Sequence, residues 1–206
     1  MILYQDSRAP NPRRVRIFLH EKGLLDSIEK VEVSINARAN EAAEHIARHP
    51  LGLLPVLELD DGTLLRESIA ICRWIEEAKA PEPNLFGVEP WERAVVEMWN
   101  RHAEMEVLFT VAQIFRNTHD FWKDRLEQAP EFGVIMKARL AERMTWLDGE
   151  LAGRAFLAGD RFTVADITLV CALDFAKVVS IRIDPAAMPN LARWHKDVAA
   201  RPSYKA

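Results

Sequence analysis

The stretch Leu53-Leu54-Pro55-Val56-Leu57-Glu58-Leu59-Asp60-Asp61-Gly62-Thr63-Leu64-Leu65-Arg66-Glu67-Ser68-Ile69-Ala70-Ile71-Cys72-Arg73-Trp74-Ile75 changes periodicity part-way, and that change decides the fold. Val56 to Leu59 is a short apolar strand. Asp61-Gly62 is a hairpin signal, because glycine supplies the positive φ such turns need. Thr63 to Arg66 is the return strand. From Ile69 the residues Ile69, Cys72 and Ile75 fall three apart, the spacing of a helix face. Pro55 has no amide donor, so it opens the strand or turns the chain. Glu67-Ser68 lies at a strand-to-helix junction, where unpaired N–H groups and the helix dipole favour an anion such as a carboxylate. Spacing alone favours the plainer reading, a trans turn proline and an N-cap serine.

Upstream, Ile2 to Gln5 is a strand, ended by Asp6-Ser7-Arg8-Ala9-Pro10-Asn11-Pro12. Pro12 suits the first turn of a helix with Asn11 as its N-cap. Val15, Phe18, Leu19 and Lys22 keep helical spacing until Gly23 stops it. Arg13, Arg14 and Arg16 are expected on a solvated face. Ile28 to Ile35 alternates as a half-buried strand, and Asn40 to Arg48 is a short helix. The resulting order is βαβαββα, a mixed sheet with helices packed on it.

Downstream, residues 80–90 (APEPNLFGVEP) are a proline-rich connection between a domain at 1–79 and an all-helical one at 91–206. Trp91, Val95, Met98, His102, Met105 and Phe109 recur at steps of three and four, with Trp99 and Val107 widening the stripe. A second long helix runs from about Glu131 to Leu151. Thr163 is an N-cap, Asp166 stands where a capping-box residue reaches back to it, and Phe162 and Ile167 fit a hydrophobic staple. The helix so begun is apolar over most of its circumference and therefore buried. A last helix follows Pro189.

The chain has 206 residues, of which 49% are hydrophobic, so a substantial core is expected rather than disorder. The net charge of −4 gives no reason to expect nucleic acid or an anionic membrane as partner. The two cysteines, Cys72 and Cys171, sit in apolar helical patterns outside any metal-ligand spacing, so they read as buried thiols in a reducing compartment, and no metal is expected. No targeting segment or membrane span is read from the sequence, which points to a soluble cytoplasmic protein.

Four features occur together and in order: Pro50, Gly52 and Pro55 in a Pro-x-Gly-x-x-Pro loop, the Glu67-Ser68 step into a helix, the proline-rich linker, and Phe162-Thr163-Val164-Ala165-Asp166 within a helical second half. In this combination the chain resembles the cytosolic glutathione S-transferases over nearly its whole length. Ala9-Pro10-Asn11-Pro12-Arg13-Arg14-Val15 looks like the first-helix start of the bacterial beta- and nu-type members. The resemblance implies a thioredoxin-like N-terminal domain, a helical-bundle C-terminal domain and a homodimer. It implies that Pro55 is cis and that Leu54 offers its backbone N–H and C=O to the cysteinyl part of glutathione, as an added strand would. Ser68 and the helix N-terminus would bind the γ-glutamyl carboxylate, with Glu67 attracting the ammonium.

The group that activates the glutathione thiol departs from the family's commoner patterns. Ala9 stands at the theta- and zeta-type serine position and Asn11 at the beta-type cysteine position, and zeta's Ser-Ser-Cys motif is absent. That absence counts against a maleylacetoacetate isomerase. Nu-type members share the Pro-Asn at Pro10-Asn11 but carry threonine where this chain has Ala9. Asn11 is the first choice, its amide donating to the glutathione sulfur, with Ser7 and Tyr4 as fallback donors. A free thiol titrates near about 8.5, and each pKa unit is worth about 1.36 kcal/mol. One hydrogen bond to an ionised group, about 1.5–3 kcal/mol, plus a helix N-terminus, about 0.3–1, lowers it by roughly one to two.

Met98, His102, Met105 and Phe109 are the candidate electrophile site, since adaptable methionine and aromatic surfaces suit varied apolar ligands; a helix–helix core stripe is the competing reading. Arg38, His45 and His49 are open candidates for the glycyl carboxylate. The expected reaction is conjugation of the glutathione thiolate to small apolar electrophiles. Glutathione-dependent disulfide reduction and a non-catalytic transferase-like binding protein are the alternatives.

Overall fold

Strand β1 (Ile2–Gln5) is the second strand of a four-stranded sheet in a computed structural model that describes residues 1–79 and 82–206. It pairs in parallel with β2 (Glu29–Glu32) and antiparallel with β3 (Val56–Glu58), and β3 pairs antiparallel with β4 (Leu64–Arg66), giving the order β2-β1-β3-β4. Strand alternation sorts the side chains. Leu3 lies across from Leu57, and both are fully buried. Their neighbours Tyr4 and Val56 point to the other face and join a cluster with Val33 and Leu54. Helices α1 (Pro10–Glu21) and α3 (Ser68–Ala78) pack together and bury Val15, Phe18, Leu19, Ile71, Cys72 and Ile75. A short α2 (Ala43–Arg48) precedes β3. The order is the expected βαβαββα, a thioredoxin-like arrangement.

Three expectations for this unit are corrected. Helix α1 starts at Pro10 with Ala9 as its N-cap, so Asn11 lies inside the first turn. The reason is steric and donor-based: Pro10 and Pro12 both fit where helix N–H groups have no intrahelical acceptor. Arg14 and Arg16 are not solvated, at 3% and 8% exposure. Arg16 donates to the Gln5 side chain at 2.9 Å and the Ser7 carbonyl at 2.8 Å. Strand β2 is also shorter than the alternation suggested, although the Val33 N–H still reaches the Gln5 carbonyl at 2.6 Å.

This first unit comprises residues 1–84 together with 202–206; residues 85–201 form a second compact unit. The proline-rich connection begins at Ala80-Pro81, which lie outside the described residues. In the second unit α4 (Pro90–Arg101) runs through a π-helical segment (His102–Leu108) into α5 (Phe109–Thr118). Helices α6 (Pro130–Glu150), α7 (Val164–Ala176) and α8 (Pro189–Ala199) complete it.

The stripe read from Trp91 to Phe109 is only partly the core face, through Trp99 and Val107, which widened it. Trp91, Met98, Met105 and Phe109 are exposed, whereas Val96, Trp99, Ala103, Val107, Val111 and Ile114 are buried. Two apolar stripes interleave on this helix and only one can face inward. The buried one steps by four across the π segment, as its wider turn requires.

Helix α7 is sealed and its start is as expected: the Thr163 N–H donates to Asp166 Oδ2 at 2.9 Å in a capping box. The Leu157 N–H at 3.0 Å and Trp194 Nε1–H at 2.9 Å donate to the other carboxylate oxygen. Burial pushes the Asp166 carboxyl up, against these donors. Both cysteines are buried, and neither is in a disulfide. Among the described residues no helix is long and apolar enough to cross a membrane.

Candidate functional site

The β3–β4 register brings together the two features that stood out in the sequence. Val56 lies across from Arg66, so one step further along antiparallel strands sets Pro55 opposite Glu67, with Leu54 and Ser68 beyond. The Leu54–Pro55 bond is cis. Ser68, only 2% exposed, is the first residue of α3. Glu67 holds φ 69° and ψ 118°, a region that residues with a Cβ rarely adopt; such a conformation typically costs about 1–3 kcal/mol. Its carbonyl accepts from the Ile71 N–H at 2.9 Å and opens the helix, whose first-turn N–H groups have no intrahelical acceptor. Backbone N–H donors and a buried hydroxyl thus meet at one strand-to-helix corner beside a residue that carries an acceptor carboxylate, a combination that suits a zwitterion with both a carboxylate and an ammonium.

The loop entering this corner is held from behind. Asn40 Nδ2 donates to the Gly52 carbonyl at 3.0 Å, and His45 Nε2 lies 2.9 Å from the Leu53 carbonyl. A carbonyl oxygen only accepts, so His45 carries its proton on Nε2. Gly52 is required: its φ is +63°, and a Cβ there would sit 2.9 Å from the Asn40 carbonyl oxygen.

Asn11 is exposed, and its Oδ1 accepts from the Arg14 guanidinium at 3.0 Å. Because arginine can only donate, the amide oxygen is the atom that Arg14 engages, and the NH2 group keeps its capacity to donate. Tyr4 is a packed strand residue, its hydroxyl donating to Glu58 at 3.0 Å beneath the Arg48 guanidinium. Ser7 is exposed, and its backbone N–H donates to Glu32 at 3.0 Å. Arg38 adopts φ 57° and lies 3.6 Å from Glu41. His49 is only 5% exposed, with Nδ1 accepting from the Leu51 N–H at 3.2 Å. Burial first, then the nearby Arg66 cation, pushes the imidazole below its ordinary range, which keeps it neutral.

In the second unit Met98 and His102 line a cavity of about 440 Å³ with Trp99, Trp146, Arg154 and Leu157. Trp99 and Trp146 stack with centroids 5.7 Å apart, and His102 meets each ring edge-on. Met105 and Phe109 do not line it and stand exposed. Among the described residues no group of His, Cys, Asp and Glu is arranged to hold a metal ion.

The family model "Glutathione S-transferase, N-terminal domain" matches residues 9–78, and "Glutathione S-transferase, C-terminal domain" matches residues 135–202. Glutathione S-transferase 2 of Saccharomyces cerevisiae is 36% identical over 100% of this chain and 88% of its own. The chain belongs to the glutathione S-transferase family. The crystal structure of Gtt2 from the same yeast superposes with a TM-score of 0.93 at 36% identity, covering 100% of this chain and 99% of that one. A Gtt2-class glutathione S-transferase of Vibrio parahaemolyticus gives a TM-score of 0.86 at 36% identity, over 100% and 96% of the two chains. Both of these solved structures carry the Gtt2 name.

Two features of this family member escaped sequence reading. The left-handed backbone of Glu67 has no sequence signal, since nothing but glycine, or at times Asn and Asp, advertises positive φ. The side-chain bonds of Asn40 and His45 to the Gly52 and Leu53 carbonyls were equally silent, because both residues sit in a polar stretch that reads as surface.

Proposed function

We propose that this family member binds glutathione at the Leu54–Pro55 and Glu67–Ser68 corner and conjugates its thiolate to small apolar electrophiles. The observation that carries the reading is the β3–β4 register, which sets the cis Leu54–Pro55 bond beside the strained Glu67 and the buried Ser68. Leu54 pairs with the cysteinyl backbone. Ser68 and the α3 N-terminus take the γ-glutamyl carboxylate, and Glu67 takes the ammonium. Arg38, permanently charged and half exposed, suits the glycyl carboxylate better than the neutral, buried His49. Asn11 donates its amide N–H to the sulfur and holds the thiolate. That sulfur attacks an electrophilic carbon, and as the S–C bond forms the leaving group departs with its electron pair. Met98 and His102, with Met105 and Phe109 nearby on the same helix, are the proposed contacts for the electrophile. The protein is read as a cytoplasmic homodimer.

The test is thermal. Millimolar glutathione should raise the melting temperature, and Ser68→Ala should weaken the rise; no shift in the wild type would overturn the reading. A chloronitrobenzene substrate assayed beside hydroxyethyl disulfide, in wild type and Asn11→Ala, separates carbon from sulfur chemistry. Equal rates in the two proteins would remove Asn11 from its role.

A further inference from the structure

Asn40 and His45 are buried or half-buried polar side chains that the conjugation chemistry does not use. Both spend a donor on consecutive backbone carbonyls just before the cis bond, those of Gly52 and Leu53. Their other polar atoms, Asn40 Oδ1 and His45 Nδ1, are buried without a hydrogen-bond partner. An unpaired buried acceptor is costly, so keeping both residues implies a return elsewhere. His45, exposed to only 2%, is not available to a ligand in this arrangement.

Strand geometry says what that return is. In extended backbone the N–H and C=O of one residue point to one side, and those of the next point to the other. Leu54 precedes a proline, which holds it in the extended region. With the Leu53 carbonyl fixed inward on His45 Nε2, the Leu54 N–H and C=O are directed to the opposite side, away from α2. Gly52 completes the device. Its φ of +63° lets the chain enter the loop, and its missing side chain lets the Asn40 backbone approach.

We propose that Asn40 and His45 are positioning residues that aim the Leu54 backbone at the tripeptide. The proposal rests on the glutathione reading above. It assigns these residues to binding the peptide backbone and gives them no part in thiolate chemistry.

The experiment compares wild type, His45→Ala, His45→Gln and Asn40→Ala in steady-state conjugation and in calorimetric titration with glutathione. His45→Ala should raise KM for glutathione and its Kd by roughly three- to tenfold, the worth of one hydrogen bond, with kcat at saturating glutathione unchanged. His45→Gln, which restores an N–H donor of similar reach, should recover most of the loss. Asn40→Ala should show the same KM-against-kcat split, and it reads the proposal even if His45→Ala fails to fold. Unchanged KM and Kd in folded His45→Ala and Asn40→Ala, or a fall confined to kcat, would overturn the positioning role. Absence of glutathione binding by the wild type would instead overturn the functional reading on which it rests.

Discussion

Lys22 and Glu76 form an ion pair sealed from water: Nζ and Oε2 are 2.5 Å apart, with side-chain exposures of 0% and 5%. The same ammonium donates to the Pro83 carbonyl at 2.5 Å, so the end of α1, helix α3 and the start of the connection meet at one charge. Removing one partner leaves the other as a buried, uncompensated ion. Lys22→Met should therefore lower the unfolding free energy by about 3–5 kcal/mol, read from urea denaturation. Lys22→Met with Glu76→Leu should recover most of that, since an apolar pair of similar size avoids desolvating charge. A double variant no more stable than the single one would contradict this account.

Asp166 accepts from three separate places: its own helix cap, the Leu157 backbone and the Trp194 indole. Asp166→Ala loses the cap, about 1 kcal/mol, and leaves buried donors without an acceptor at about 1–3 kcal/mol each. A loss of at least about 3 kcal/mol in chemical denaturation is expected. Thr163→Ala, which removes only the hydroxyl and keeps the carboxylate and all three N–H donors, should cost markedly less.

Stability and affinity should move in opposite directions at Glu67. Glycine relieves the positive-φ backbone but removes the carboxylate. Glu67→Gly should leave the melting temperature unchanged or raised, while the glutathione-induced shift shrinks. A melting temperature lowered by several degrees would show that the backbone is not strained there.

Acid should act through Asp6. Burial alone would push its carboxyl up, but the Arg8 guanidinium and the Ile35 and Arg8 N–H groups hold it below the ordinary carboxylate range. The unfolded chain therefore takes the proton first. The stabilisation is fully present above about pH 4, the unfolded carboxylate value, and is lost as pH falls through the lower folded value. Urea midpoints measured from pH 5 downward should fall less steeply in Asp6→Asn than in wild type.

Much of this was written in period and punctuation. The switch at Ile69 from strand to helix spacing, the Asp61-Gly62 turn and the Thr163–Asp166 box are local signals, and each marks a real boundary. Where the sequence misled, it offered two consistent local answers and tertiary packing chose. Asn11 and Ala9 could each precede a proline-led helix, and two apolar stripes compete along α4 and α5. The buried arginines were misread because charge on a helix predicts solvent, and only the fold places the Gln5 side chain and Ser7 carbonyl within reach of Arg16. Backbone strain at Glu67 was invisible, since it arises from the junction and not from the residue.

The first unit is built from two separate stretches, residues 1–84 and 202–206. Tyr204 gives its carbonyl to Arg13 at 3.0 Å and its ring to the same guanidinium, and Ser203 donates to Glu21. During synthesis, then, the sheet, α1 and α3 emerge from the ribosome well before the segment that closes over α1. The contacts of Arg13 and Glu21 with residues 203 and 204 wait until all of residues 85–201 have been made. Of the two units, the thioredoxin-like one is begun earlier in synthesis and completed later.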